Sequence, residues 1–393
     1  MATATQPTVK RRRDLWFLRY GCLLFLIGFF CLCLLVSAFV TNDLFLNGPM
    51  VAALAFFLAT ATAVPYSLLL LWFDRNEQEP LFLILTAFLW GANVATAISL
   101  IFNTTFGIFA FSILDNPAMA DQLTASFSAP FIEELTKGAA VMFLFMLFKR
   151  DFDNVLDGIL YGALVGMGFA WFENVLYYAR VGADGPVEML KLTYLRGILN
   201  GVTSHAAYTA LTGLGFGLVR VLRKGILRWS LVPLFWGMAM FAHFMWNTFV
   251  GPLIAVTGAR TEIEVYLGSL PLAVVVLQSP FVFLLLLVAL ISWRHERRLI
   301  ERYLSDEPPA VVARGENTRL VPARRRIWTY IKTFFTAGPL YTWRLRAMQQ
   351  DQIKLAFVKW HHDRDDETTW TYDEDADIIS LRDRIRRRRG QLG

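Results

Sequence analysis

Apolar residues fall along this chain in long, nearly unbroken runs separated by short polar breaks. Eight runs approach the ~20 residues that a helix needs to cross hydrocarbon. Their approximate cores are 20–40, 51–73, 81–102, 126–148, 156–178, 196–219, 230–250 and 267–292. The pattern predicts an all-α, polytopic transmembrane helix bundle of about eight spans, followed by a C-terminal extension. The third and fourth runs are separated by a longer segment containing Asp115, Asn116 and Pro117. No internal repeat is evident.

Basic residues orient the bundle. Lys10-Arg11-Arg12-Arg13 precedes the first run, which places the N-terminus on the cytoplasmic side. Alternation then puts Arg75, Lys149, Arg150, Arg220, Arg223, Lys224, Arg228 and the Arg294–Arg302 cluster on that same side. The opposite loops hold no Lys or Arg at 41–50 or 103–125, and later only Arg180, Lys191, Arg196 and Arg260. A cell-membrane, multi-pass protein with both termini cytoplasmic is the expectation. Val36-Ser37-Ala38 also reads as a passable signal-peptide cleavage site, although the run before it is long for that purpose.

Composition agrees: of 393 residues, 55% are hydrophobic and only 18% charged, with a mean hydropathy of +0.44. The net charge of +6 is concentrated beside apolar runs and in the tail, which suits anionic lipid, and no nucleic-acid-binding motif appears. Cys22, Cys31 and Cys33 all lie in the first run, without zinc-site spacing, and read as small apolar fillers. The chain therefore divides into a basic N-terminus (1–19), a bundle (20–293, with its chemistry at about 126–250) and a cytoplasmic tail (294–393). In the tail, Pro308-Pro309 and Gly315 mark a linker, and Arg324-Arg325-Arg326 with Ile327, Trp328 and Tyr330 resembles an interfacial basic–aromatic segment. The acidic stretch 363–377 and the basic block 386–389 read as solvated, mobile charge, and His361-His362-Asp363 as surface.

Ionisable side chains inside four consecutive runs change the picture. Each costs about 2.5–3.5 kcal/mol to insert near the bilayer centre. The fourth run carries Glu133, Glu134 and Lys137, with Glu133 and Lys137 on one helix face. The fifth carries Glu173 and Asn174, with Tyr177 one turn on; the sixth carries Ser204 and His205, with Thr209 one turn on; the seventh carries His243 and Asn247 on a common face. Counted from the run ends at 1.5 Å per residue, they fall roughly 8–14 Å below the outer boundary. Carboxylate, imidazole and amide groups in one layer suit hydrolysis of an amide bond: a carboxylate to activate water, imidazoles to orient it or bind a metal, and an amide to meet the oxyanion. Asp157, by contrast, sits at a helix start and reads as a cap. Gly162, Gly166, Gly168, Gly213, Gly215 and Gly217 read as close-packing faces.

The set Glu133-Glu134-x-x-Lys137, Asp157-Gly158 through Phe172-Glu173-Asn174-x-x-Tyr177, His205 with Thr209, and His243-x-x-Trp246-Asn247 resembles the PrsW family of intramembrane proteases, within the wider Abi and CAAX prenyl endopeptidase superfamily. Asp74-Arg75-x-Glu77-x-Glu79-Pro80 is similar to that family's acidic loop. The resemblance spans about residues 55–250. It implies cleavage of membrane-anchored substrates, of anti-sigma-factor type in some members. It implies Glu133 as the base, His205 as positioning the water, and His243 and Asn247 at the oxyanion, with Glu134, Lys137 and Glu173 in the same site. Metallo- and glutamate-type chemistry both remain open: Glu133, His205 and His243 could supply three zinc ligands. A proton-coupled transporter, or a catalytically inert scaffold, would use the same residue types in other ways.

Overall fold

The computed structural model describes residues 30–46, 48–76, 79–149, 151–222, 225–364, 372–373 and 375–392. The basic cluster 10–13, Cys22 and the start of the first expected span lie outside these residues. So do Glu77, Arg150, Arg223, Lys224 and part of the acidic stretch 363–377. The described residues are helical, with no strand, and the chain divides into two compact units: 1–70 with 81–285, and 71–80 with 286–393.

Each expected span meets a helix. In order these are α1 (Phe30–Leu46), α2 (Pro49–Phe73), α3 (Leu81–Leu114), α4 (117–147), α5 (Val155–Gly182), a short α6 (186–199), α7 (His205–Val221), α8 (Ile226–Val256) and α9 (Glu262–Leu304). Five of them, α2, α3, α5, α8 and α9, are long and apolar enough to cross a membrane. The expected first, fourth and sixth spans do not meet that standard by themselves: of the first, only the 17 residues Phe30–Leu46 are described as helix. Glu133, Glu134 and Lys137 load α4 with charge, and α7 is only 17 residues long.

Two connections differ from expectation. The long loop between the third and fourth spans is mostly helix: α3 runs on to Leu114, and only Asp115 and Asn116 separate it from α4. Asp115 turns the chain in the left-handed region (φ 48°), Asn116 caps α4 by accepting from Met119 N at 3.1 Å, and Pro117 begins it without needing an N–H partner. The sixth span, read as continuous from 196, is broken: α6 ends at Leu199, the chain turns, and His205 is the first residue of α7.

Helix α5 is the hub, with 89% of its most apolar stretch buried within the protein, against 17% for α2 and α8. Its cap is Asn154, which accepts from Leu156 N and Asp157 N; Asp157 is the reciprocal partner in that capping box rather than the cap itself. Glycine is what lets α7 approach. A Cβ on Gly213 would lie 1.8 Å from Gly158 O, and one on Gly166 would lie 2.1 Å from His205 O. Gly168 instead faces Phe88 O of α3. α1 rests on α3 through Cys33, Val94 and Ala97.

The second unit has its own core. Ile300, Leu304, Val311, Leu320, Ile353, Leu355, Phe357, Ile378, Leu381 and Ile385 are buried together, drawn from the end of α9, the connection 305–322, α10 (Ala323–Arg364) and α11 (Ala376–Gly390). The basic block is paired rather than simply solvated: Arg388 meets Asp351 at 3.0 Å and Arg389 meets Glu316 at 2.6 Å. The sequence shows the charges but not their partners, which lie 37 and 73 residues away.

Candidate active site

Four helices bring the expected polar residues to one cavity of about 200 Å³, lined by Glu133, Glu173, His205, Tyr208, His243 and Asn247 among others. Glu133 and Glu134 are adjacent on α4 and so point ~100° apart. That angle splits their work. Glu133 lines the cavity, whereas Glu134 is wholly buried behind it.

Glu134 accepts three hydrogen bonds: from Lys137 Nζ at 2.6 Å, Thr209 Oγ1 at 3.0 Å and His243 Nδ1 at 3.1 Å. Three donors from three helices satisfy a carboxylate that would otherwise be costly to bury. The expected Glu133–Lys137 pair exists at 3.5 Å, but Lys137 is closer to Glu134. The Lys137 ammonium also lies 3.1 Å from His205 Nδ1 and 4.0 Å above the Phe169 ring. Glu133 Oε1 accepts from Asn103 Nδ2 at 3.3 Å, and Asn103 accepts from Ser128 Oγ at 2.8 Å.

The partners fix both imidazole tautomers. His243 donates Nδ1–H to Glu134, so Nε2 carries a lone pair, 4.0 Å from Glu133 Oε2. His205 accepts from Lys137 at Nδ1 and donates Nε2–H to Glu173 Oε2 at 2.9 Å. Each histidine is thus backed by a carboxylate on one nitrogen and turns the other toward Glu133. The rings lie 5.0 Å apart, edge to face, and His243 stacks on Tyr208.

Glu173 is both a clamp and a member of the site. Besides His205 it binds Arg196 Nη2 at 2.5 Å, while Arg196 Nε donates to Asn174 Oδ1 at 2.8 Å and its guanidinium covers Tyr177 at 4.0 Å. Sequence reasoning placed Arg196 only as a loop charge. Its position at the end of α6, nine residues before His205, was the available signal. Gln278 was also missed; it donates to Tyr208 Oη at 3.1 Å and accepts from Thr203 at 2.6 Å. Asn247 reaches the cavity but gives one amide hydrogen to Ala125 O at 2.8 Å. Asp157 and the second-unit histidines His361 and His362 are not among the residues lining the cavity.

Glu133, His205 and His243 form the one group among the described residues whose ligand atoms could share a metal ion, lying within 4.8 Å of one another. Two imidazoles and a carboxylate are a recognised catalytic zinc set. The carboxylates behind the imidazoles are the usual outer support of such ligands. The donor chemistry fits. The Lys137 ammonium on His205 Nδ1 competes for the same lone pair.

The family profile for "PrsW family intramembrane metalloprotease" matches residues 79–285, which include every candidate site residue. The chain is 31% identical over 207 residues to Protease PrsW of Geobacillus kaustophilus, covering 50% of this chain and 85% of that protein. It is 30% identical over 186 residues to Protease PrsW of Halalkalibacterium halodurans (46% and 78%) and 28% identical over 147 residues to that of Bacillus subtilis (37% and 60%). No solved structure matches.

Proposed function

The chain belongs to the PrsW family of intramembrane metalloproteases, and from that membership we propose how its residues divide the work of peptide-bond hydrolysis. The protein is a membrane protease acting on membrane-anchored substrates. The carrying observation is the convergence of Glu133, His205 and His243 on one cavity, with Glu134 and Glu173 behind the two imidazoles.

Glu133 takes a proton from the attacking water as the water oxygen bonds to the scissile carbonyl carbon. It then returns that proton to the leaving amine as the C–N bond breaks. His243 Nε2, a lone-pair bearer, holds the water, and His205 fixes the far wall of the site. The amide hydrogen that Asn247 does not give to Ala125 meets the oxyanion. Glu134 and Glu173 keep the imidazoles in tautomer and orientation, and Lys137 balances the charge of the two adjacent glutamates. In the metal-dependent alternative Glu133, His205 and His243 would together hold zinc, and Glu133 would then serve as a ligand rather than as the free base. When bound, that ion would lower the pKa of a water and polarise the carbonyl.

The basic flanks support a multi-pass topology with both termini cytoplasmic, and the family membership supports membrane-anchored substrates, which we take to be of anti-sigma-factor type. The test is a Glu133→Gln variant reconstituted with a cleavable membrane-anchored reporter. Turnover is expected to vanish while the variant remains inserted and folded; cleavage at the wild-type rate would remove Glu133 from the reaction. Membrane proteomics of the same pair would name the substrate.

A further inference from the structure

In the second unit, beyond the family match, α10 is not one straight helix. At Gly338 the backbone leaves the helical region (φ 86°, ψ 169°) and Pro339 restarts it. The Thr333 and Thr342 hydroxyl oxygens lie 3.1 Å apart across the bend. The result is a helical hairpin whose tip is apolar and unpartnered: Trp328, Phe335 and Trp343 are 67%, 81% and 66% exposed, and Ile331, Phe334 and Leu340 are exposed with them. A water-facing hairpin would not carry six large apolar side chains outward on one tip.

Three independent features name what covers it. The first is hydroxyl accounting. The hairpin's four threonines, 329, 333, 336 and 342, give their hydroxyls to the carbonyls of Arg325, Thr329, Lys332 and Gly338 at 2.8–3.0 Å. Hydrocarbon demands such internal satisfaction and water does not. The second is charge. Residues 323–350 hold six basic residues and no acidic one, and the eleven residues 333–343 hold no charge at all. Eleven residues are too few to span a bilayer, whereas a basic-flanked apolar tip suits shallow insertion among anionic headgroups. The third is anchorage. Arg326 Nη2 binds Asn76 Oδ1 at 2.7 Å and the Arg75 carbonyl at 3.1 Å, and Asn76 donates to Glu296 at 2.7 Å. The hairpin therefore starts where α2 has just ended, beside a cluster in which Arg75 lies over Trp72 and Trp293. Aromatic and basic residues together at a helix end are the signature of the membrane–water boundary.

We propose that residues 323–350 form a re-entrant wedge that inserts its Phe334–Leu340 tip into the anionic leaflet at which α2 ends. None of its residues lines the catalytic cavity.

The test uses the full-length protein with Cys22, Cys31 and Cys33 replaced by alanine. A single bimane-labelled cysteine is introduced at Phe335, or at exposed Lys354 on the same helix as a control. Both are reconstituted in phosphatidylcholine vesicles with or without phosphatidylglycerol. At 335 the emission is expected to shift to the blue, to be quenched by spin-labelled lipid and to resist iodide, with a larger shift when phosphatidylglycerol is present. At 354 iodide is expected to quench. Substituting Arg324, Lys332 and Arg346 together by glutamine is expected to remove the phosphatidylglycerol dependence. Iodide quenching at 335 in both lipid mixtures overturns the proposal. Protection from both iodide and lipid quencher also overturns it, because the tip would then be covered by protein. An identical shift in both lipid mixtures overturns its anionic selectivity.

Discussion

Glu134 and His243 meet across two helices at 3.1 Å, and that bond decides what the imidazole can do. With Nδ1–H committed to Glu134, Nε2 faces the cavity as an acceptor. His243 is thereby better suited to hold water or a metal than to donate to an oxyanion, which leaves the oxyanion to Asn247. Glu134 itself does not line the cavity, and its part in the proposed reaction is to hold that imidazole.

Glu134→Gln tests this. The amide keeps the size and one acceptor oxygen, enough for Lys137 and His243 at Oε1 or for Thr209 at Oε2 but not for both positions, and it removes the negative charge that faces Lys137. Loss of such an outer partner lowers activity or metal affinity about 10–100-fold. The expected result is that loss in turnover of a membrane reporter, with Glu134→Asp recovering part of it. Wild-type turnover in Glu134→Gln would show that an anionic partner behind His243 is immaterial.

Metal removal separates the two chemistries that share this cavity. If His205, His243 and Glu133 hold zinc, protein purified without chelator contains the ion. His205→Ala and His243→Ala each lower its content, and chelation abolishes cleavage until zinc is restored. Elemental analysis and reporter cleavage measure both. Full activity in metal-free protein would assign hydrolysis to Glu133 alone, consistent with the Lys137 ammonium occupying His205 Nδ1.

Much of this site was legible because an ionisable residue in an apolar run needs a reason. Glu133, Glu134, Lys137, Glu173, His205 and His243 all stand out on that ground. Arg196 did not, since a basic residue near a helix end already had an explanation in the topology rule. The break at 200–204 was hidden for a related reason: hydropathy averages over a turn that contains Gly201 and Ser204 but no proline. The helical extension of α3 to Leu114 was obscured by Asp115-Asn116-Pro117, a strong turn signal that proved to be the whole connection rather than the middle of a loop. In the tail, charge runs conceal a core because its apolar residues are dispersed among arginines.

Arg196 holds Glu173 and Asn174 with two different nitrogens. A lysine can answer only one of them, as a point charge. Arg196→Lys is therefore expected to lower kcat moderately, and Arg196→Ala about 10–100-fold, because Glu173 would then lean on His205 alone. The measurement is kcat against KM on a purified membrane reporter. A change confined to KM would make Arg196 a substrate contact instead of a support for Glu173.

Helix spacing gives the last expectation. Gly213 lies so close to Gly158 that an added Cβ would fall 1.8 Å from its carbonyl oxygen, and backbone cannot yield as a side-chain end can. Gly213→Ala must push α7 away from α5. His205 begins α7, and Glu173 is on α5, so their 2.9 Å bond must stretch with it. A displacement near 1 Å at a catalytic group costs about 100-fold in rate. Gly237→Ala is the control, since nothing lies within 4 Å of its added Cβ. Thermal unfolding in detergent and reporter cleavage are expected to fall together for Gly213→Ala and to stay unchanged for Gly237→Ala. If Gly213→Ala cleaves normally, α7 tolerates displacement and the position of His205 relative to Glu173 does not limit the reaction.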